Sequence, residues 1–210
     1  MKKLLSALFL LALCSSLAGA SVPDPLNCTV APLMGNPLDP SSQVAFLSPG
    51  AINGTSITIT VRNNVNALIP NASVVVTFNS EIGICSDAVH SGSTGASGPG
   101  LGQCVITLKG GGCQTAVLGA CVVTANGIEI RNLQNVRSPD NEGHTSSVPN
   151  GKVNSQDLGA FADEFIVGPA GCHDYDLLLG VNSQDLGLFG DAFSLTAGIP
   201  PLPVECTLLP

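Results

Sequence analysis

One seven-residue string occurs twice in the chain. Val153-Asn154-Ser155-Gln156-Asp157-Leu158-Gly159 returns 28 residues later as Val181-Asn182-Ser183-Gln184-Asp185-Leu186-Gly187, and Phe161, Asp163 and Phe165 return as Phe189, Asp191 and Phe193. A unit repeated only twice is a paired supersecondary element, because a solenoid needs three or more units to build a core. The two copies are therefore expected to pack on each other.

Each copy changes character at its Asn-Ser pair. Upstream lie Gly, Asn and Asp residues suited to a tight loop; downstream, Leu158, Phe161, Ala162 and Phe165 fall at i, i+3, i+4 and i+7, one face of a helix. Asn154 or Ser155 can cap that helix, and Asp157 in the first turn suits the helix dipole. The spacing predicts a core in which Leu158, Phe161 and Phe165 meet Leu186, Phe189 and Phe193.

A carboxylate-rich loop feeding a helix is the exit half of an EF-hand, whose oxygen ligands stand at positions 1, 3, 5, 7, 9 and 12, with Gly at 6. With Asp185 at the last position, the second copy places Asp174 first, Asp176 third, Gly180 seventh through its carbonyl and Asn182 ninth. Leu178 and Leu179 fill the fifth and sixth positions, where a ligand and a glycine are wanted. In the first copy Asp157, Asn154, Gly151 and Asn150 keep the pattern, but Val148 and Ser146 stand where acids belong. Asp140 and Glu142 lie six residues too far upstream. Either residues 144–149 are an insertion that loops out, or this first loop holds no metal.

The duplicated loop followed by an Asn-x-x-Asp-Leu helix, with no entering helix, resembles a type I dockerin over about residues 138–195. The resemblance implies two bound calcium ions and docking onto a cohesin domain, or another surface protein, in extracellular and often polysaccharide-degrading assemblies. Its ligand set is Asp174, Asp176, Gly180, Asn182 and Asp185 in the second loop, and Asp140, Glu142, Asn150, Asn154 and Asp157 in the first. The chain departs from that pattern at Ser146, Val148, Leu178 and Leu179, and the helix positions usually used for partner contact are not recognisable. The plainer reading is a pair of helices with Asx-rich caps and no metal.

Charge distribution bears on the choice. Residues 138–210 hold ten acids and one base, Lys152, whereas residues 21–137 hold five acids and four bases. Such an acidic block attracts cations and repels nucleic acid phosphates, which removes nucleic acid from the expected partners. Lys2 and Lys3, the apolar run from Leu4 to Leu13 and Ala18-Gly19-Ala20 have the plan of a cleaved secretory signal peptide, and no later stretch is long enough to span a bilayer. The expected product is a secreted protein with seven cysteines, for which disulfides are the default. Sequence spacing favours Cys113–Cys121, Cys85–Cys104 and Cys172–Cys206, leaving Cys28 over.

Between the leader and the repeat lies β-type sequence. Five prolines between Ser21 and Pro40 predict an extended lead-in or edge segment. Short Val-, Ile- and Thr-rich runs then predict strands at 43–47, 55–62, 72–79, 81–85, 102–109, 119–125 and 127–133. Ser56-Ile57-Thr58-Ile59-Thr60-Val61 is the clearest alternation. Residues 91–102, rich in Ser and Gly, read as a mobile surface loop. The fold class expected is mainly β, with an antiparallel sandwich followed by a small helical pair. Residues 60–74, with Leu68-Ile69-Pro70-Asn71-Ala72-Ser73-Val74, together with the strand Gly102–Leu108, resemble bacterial Ig-like and carboxypeptidase-regulatory-like domains over about residues 42–136. That resemblance implies a spacer or adhesive role.

The expected organisation is a leader over 1–20, a Pro-rich lead-in over 21–41, an Ig-like sandwich over 42–136, the dockerin-like repeat over 137–195 and a tail over 196–210. Enzyme motifs are weak. Ser97 lacks the flanking pattern and the strand-to-helix setting of a nucleophile elbow, and His90, His144 and His173 lack zinc-site spacing. Asp157 and Asp185 as a glycosidase pair are less economical than Asp157 and Asp185 as metal ligands. The expectation is a non-catalytic calcium-binding assembly protein. The rivals are a structural or adhesive surface protein with a metal-free repeat, and a small secreted hydrolase.

Overall fold

A computed structural model describes residues 22–144, 146–167, 171–178, 180–196 and 206–209. The leader, Leu179 and most of the C-terminal tail lie outside the described residues. Among the described residues the chain is mainly β with two α-helices. β1 (Thr29–Ala31), β3 (Ser56–Thr60) and β7 (Gln103–Thr107) form one antiparallel sheet in the order β1-β3-β7. β4 (Ser73–Phe78), β6 (Ser91–Ser93), β9 (Cys121–Ala125) and β10 (Ile128–Leu133) form a second, in the order β10-β9-β4-β6. β5 (Gly83–Ile84) pairs with β8 (Gly110–Gly111), and β2 (Val44–Phe46) pairs in parallel with β11 (Asn135–Arg137).

The alternating residues of both larger sheets point into one apolar core. Ile57 and Ile59 of β3, Ile106 of β7, Val74 and Val76 of β4 and Val123 of β9 are all buried in it. The Pro-rich lead-in supplies the edge strand β1, where Val30 pairs with Ile59 and prolines on either side keep the strand to three residues. The segment read as a mobile loop is instead structured. Ser91–Ser93 pairs with β4, and the buried Thr94 hydroxyl donates to the Ile69 carbonyl at 2.7 Å and accepts the Ala72 N–H at 2.8 Å. Gly92 is needed there because a Cβ would stand 2.7 Å from the Cys104 sulfur.

The repeat forms α1 (Ser155–Val167) and α2 (Ser183–Thr196). Phe161 and Phe189 are buried and meet with ring centroids 5.1 Å apart, as the spacing predicts. The remaining predicted core positions do not all go inside. Leu158, Leu186 and Phe165 are 39%, 46% and 49% exposed, because the buried face runs through Asp157, Ala160, Phe161 and Glu164 and through Asp185, Phe189 and Ala192. The core is completed by Phe46 of β2, from outside the repeat, and by Tyr175 of the second loop, whose rings lie 5.3 Å apart. β2 is buried on both sides, sending Ala45 toward the sheets and Phe46 toward the helices.

The disulfides join Cys85 to Cys206 and Cys113 to Cys172. None of the three pairings read from spacing forms. Cys104 and Cys121 belong to inward-facing positions of β7 and β9 and are buried thiols, as is Cys28. One bridge ties the β region to the segment between the two copies of the repeat, and the other ties it to the tail beyond them. Non-reducing peptide mapping is expected to recover the 85–206 and 113–172 pairs, with Cys28, Cys104 and Cys121 alkylated only after denaturation. Phe161→Ala and Phe189→Ala are each expected to lower stability by about 3–5 kcal/mol. Leu186→Ala is expected to cost about 1 kcal/mol or less; equal effects in denaturant melts would contradict the packing.

Candidate metal centre

The repeated Asn-Ser-Gln-Asp string builds the same helix cap twice. The side-chain oxygen of Asn154 accepts the Gln156 N–H at 2.7 Å, and Asp157 Oδ2 accepts the Asn154 N–H at 2.8 Å. Asn182 and Asp185 repeat this at 2.8 and 2.9 Å. This is a reciprocal capping box with Asn and Asp in place of the usual Ser/Thr and Glu. Asn154, rather than Ser155, is the cap. Each cap also withdraws an aspartate from water at the helix N-terminus, where the dipole favours its charge.

In the second loop three carboxylates converge. One ligand oxygen from each of Asp174, Asp176 and Asp185 lies within 4.8 Å of the others. Asp185 accepts the Tyr175 N–H at 2.7 Å, which ties the second residue of the loop to its last, and Asp176 accepts the Leu178 N–H at 2.8 Å. Asp174 is 2% exposed, and its Oδ1 has no hydrogen-bond partner. Burial, with Asp185 and Asp176 as neighbours, raises the Asp174 pKa to about 6. Burial raises that of Asp185 as well.

Gly180 and Asn182 are not free donors. The Asn182 Nδ2 donates to the Gly180 carbonyl at 2.9 Å and to the Leu178 carbonyl at 3.2 Å, while its oxygen is committed to the cap. That oxygen serves the capping role for which Asn is preferred at this position. Of the five residues predicted for this loop, the structure gathers three.

The first loop takes the looped-out alternative. The Glu142 N–H donates to the Val148 carbonyl at 3.2 Å and the Val148 N–H to Asn141 Oδ1 at 2.8 Å, which closes off the inserted residues. Asp140 is thereby carried to the first-position place, where its two oxygens accept the N–H groups of Asn150 and Gly151 at 2.9 Å each. Asn150 accepts from Lys152 and donates to Glu142. The carboxylates of Asp140 and Glu142, and the amide oxygens of Asn150 and Asn154, thus all have protein partners. Only Asp157 Oδ1 is buried without one. Burial raises Asp140 to about 7 and Asp157 to about 6. Among the described residues, the second loop alone brings three acidic, His or Cys ligand atoms within mutual reach.

Residues not singled out in the sequence complete the setting. Arg137, 1% exposed, donates from Nε to the Asp174 carbonyl at 3.3 Å and from Nη1 to those of Gln114 and Val136 at 2.6 and 3.0 Å. Tyr175 is wholly buried beside the site. Their only sequence signals are a base next to an acid-rich block and the chain's single tyrosine, and neither carries a spacing rule. His90 accepts the Lys109 N–H through Nε2, remote from the acids, and His173 is buried against Glu164.

An all-oxygen donor set with an unsatisfied buried carboxylate oxygen fits a hard divalent cation. The Asp cluster could hold a metal ion on that ground. No family model matches the chain, and no curated protein or solved structure matches it either.

The raised carboxyl pKa values set a pH dependence for the metal-free protein. Asp140, Asp157 and Asp174 hold protons in the folded state up to about 7, 6 and 6, whereas unfolded they release them near pH ~4. Between those limits the folded form binds more protons, so stability falls as pH rises. With chelator present the melting temperature is expected to drop between about pH 5 and pH 7.5, and millimolar calcium is expected to reverse part of the loss. A flat profile in chelator would contradict the burial of these carboxylates.

Proposed function

We propose that this is an exported calcium-binding assembly protein in which residues 42–136 are an Ig-like spacer and residues 137–195 a dockerin-like docking module. The observation that carries the calcium reading is the convergence of Asp174, Asp176 and Asp185 around the partnerless Asp174 Oδ1. Calcium suits a loop of this kind better than magnesium, because it accepts irregular oxygen geometry and carbonyl ligands where magnesium demands a near-ideal octahedron. The three aspartates would hold the ion, and the Gly180 carbonyl can join them once it leaves Asn182. When bound, the ion supplies charge neutralisation, removing the repulsion that gathers with three carboxylates in one loop.

Two disulfides, and the absence among the described residues of a helix long and apolar enough to cross a membrane, are consistent with an extracellular setting. The assembly reading draws support from apolar side chains left on the helix surfaces: Leu158, Phe165 and Ile166 on α1 and Leu186 on α2. The partner would be a cohesin-like or other surface protein. A second reading, a structural or adhesive protein with a metal-free repeat, is favoured by one observation: the side-chain oxygens of Asn154 and Asn182 each accept a helix N–H as caps.

Calorimetry separates the two readings. The full chain is expected to bind one calcium ion with Kd on the order of 10⁻⁴ to 10⁻³ M, as in extracellular modules, because Leu178 contributes no ligand. Asp176→Asn is expected to weaken binding at least tenfold, the equivalent of about 1.4 kcal/mol. No heat at millimolar calcium would favour the structural reading, and two ions per chain would bring the first loop into the site.

A further inference from the structure

His173 sits where three parts of the repeat meet. It is wholly buried. Its Nδ1 lies 2.9 Å from Glu164 Oε1 on α1, its backbone N–H donates to Glu164 Oε2 at 3.1 Å, and its Nε2 lies 3.1 Å from the carbonyl of Asn141 in the first loop. The next residue is Asp174, the first acid of the second loop. Asn141 in turn holds the Val148 N–H that closes the first loop, immediately before the Asn150 and Gly151 N–H groups that clamp Asp140. Space around this path is tight. A Cβ on Gly171 would lie 2.6 Å from both the Glu164 carboxylate and the His144 carbonyl, and Cys172 is pinned by its disulfide to Cys113 and by its N–H to the His144 carbonyl at 2.9 Å.

The bridge is not part of the duplicated pattern. At the 28-residue offset Glu164 is matched by Ala192, and where Asp140 matches Asp174, His173 is matched by Pro139. Neither replacement can reproduce the contact. One side of the repeat therefore carries a polar crosslink that the other lacks, and it runs from a residue beside the cation cluster to the loop that does not itself gather a triad.

We propose that His173 is a positioning residue that couples cation occupancy of the Asp174 loop to closure of the first loop. The inference rests on the calcium reading above. An ion on Asp174 fixes the backbone at 173–174; the imidazole then holds the Asn141 carbonyl in place, and Asn141 keeps the inserted residues closed over Asp140. The first loop responds to calcium without a triad of its own.

Hydrogen exchange of the full chain, with calcium ion or chelator, tests this. In the wild type, calcium is expected to slow exchange by about fivefold or more, the lower end of common coupling strengths, both in peptides from 171–186 and in peptides from 140–151. His173→Phe keeps a ring beside Phe161 and Tyr175, whose centroids lie 5.9 and 6.1 Å from the imidazole, and removes both ring hydrogen bonds. It is expected to retain the response at 171–186 and lose it at 140–151. Asp176→Ala is expected to abolish both. If His173→Phe fails to protect the β4 and β9 amides and so is not folded, His173→Leu removes the same two ring hydrogen bonds with a smaller side chain and is expected to behave alike. A first-loop response that survives either bridge variant, or Asp176→Ala, overturns the proposal. No wild-type response at 171–186 instead overturns the calcium reading, and a wild-type response confined to 171–186 overturns the coupling alone.

Discussion

Withdrawing a carboxylate from water is costly, and this chain does it four times within one small region. Asp140, Asp157, Asp174 and Asp185 are all almost fully buried, so every surrounding feature has to offer them N–H groups, a dipole or a cation. Asp157 and Asp185 receive helix N-termini and the backbone N–H of their own caps. Asp140 receives two N–H groups across the closed insertion. Asp174 is the residue left over, raised in pKa by burial and by its acidic neighbours, with one oxygen facing no donor. Asp157 also keeps one oxygen without a donor, but only Asp174 has two further carboxylates within reach, so its loop is the one that could hold a cation.

That arrangement needs rigid walls, and the β region supplies them. Phe46 of β2 enters the helical core beside Tyr175, Arg137 at the end of β11 holds the Asp174 carbonyl, and the 113–172 disulfide anchors the turn that leads into the second loop. Arg137 is a buried cation met almost entirely by carbonyl oxygens. It lends positive potential to the acid cluster without occupying the carboxylate oxygens themselves. The repeat is thus built onto the β region through shared core, charge and covalent links, and its loops inherit their geometry from strands more than thirty residues upstream.

Much of this was legible in the residue pattern because it is local. A period of 3.6 located both helices and the Phe161–Phe189 contact, alternation located the main strands, and the Asn-Ser-Gln-Asp spacing located the caps. The acids of the second loop were legible for the same reason, since ligand spacing in a loop of twelve residues is a property of one short segment. Other features were misread from equally local cues. Ser and Gly between 91 and 102 looked like a free loop until the Thr94 hydroxyl was found bonded to backbone 22 and 25 residues away. The Ser/Gly spacing carried no sign of these distant partners.

The sequence by itself determined that two loop-helix units exist, that their carboxylates gather near the helix starts, and that a β-rich region precedes them. Each of these follows from periodicity and from hydrogen bonds between residues a few positions apart. Tertiary structure alone decided which cysteines meet, which helix face is buried, that six inserted residues loop out so that Asp140 reaches its place, and that Arg137 and His173 flank the acid cluster. Those outcomes depend on distances between residues 9 to 121 positions apart. No spacing along the chain encodes them, because the packing of the two apolar cores brings these distant segments together.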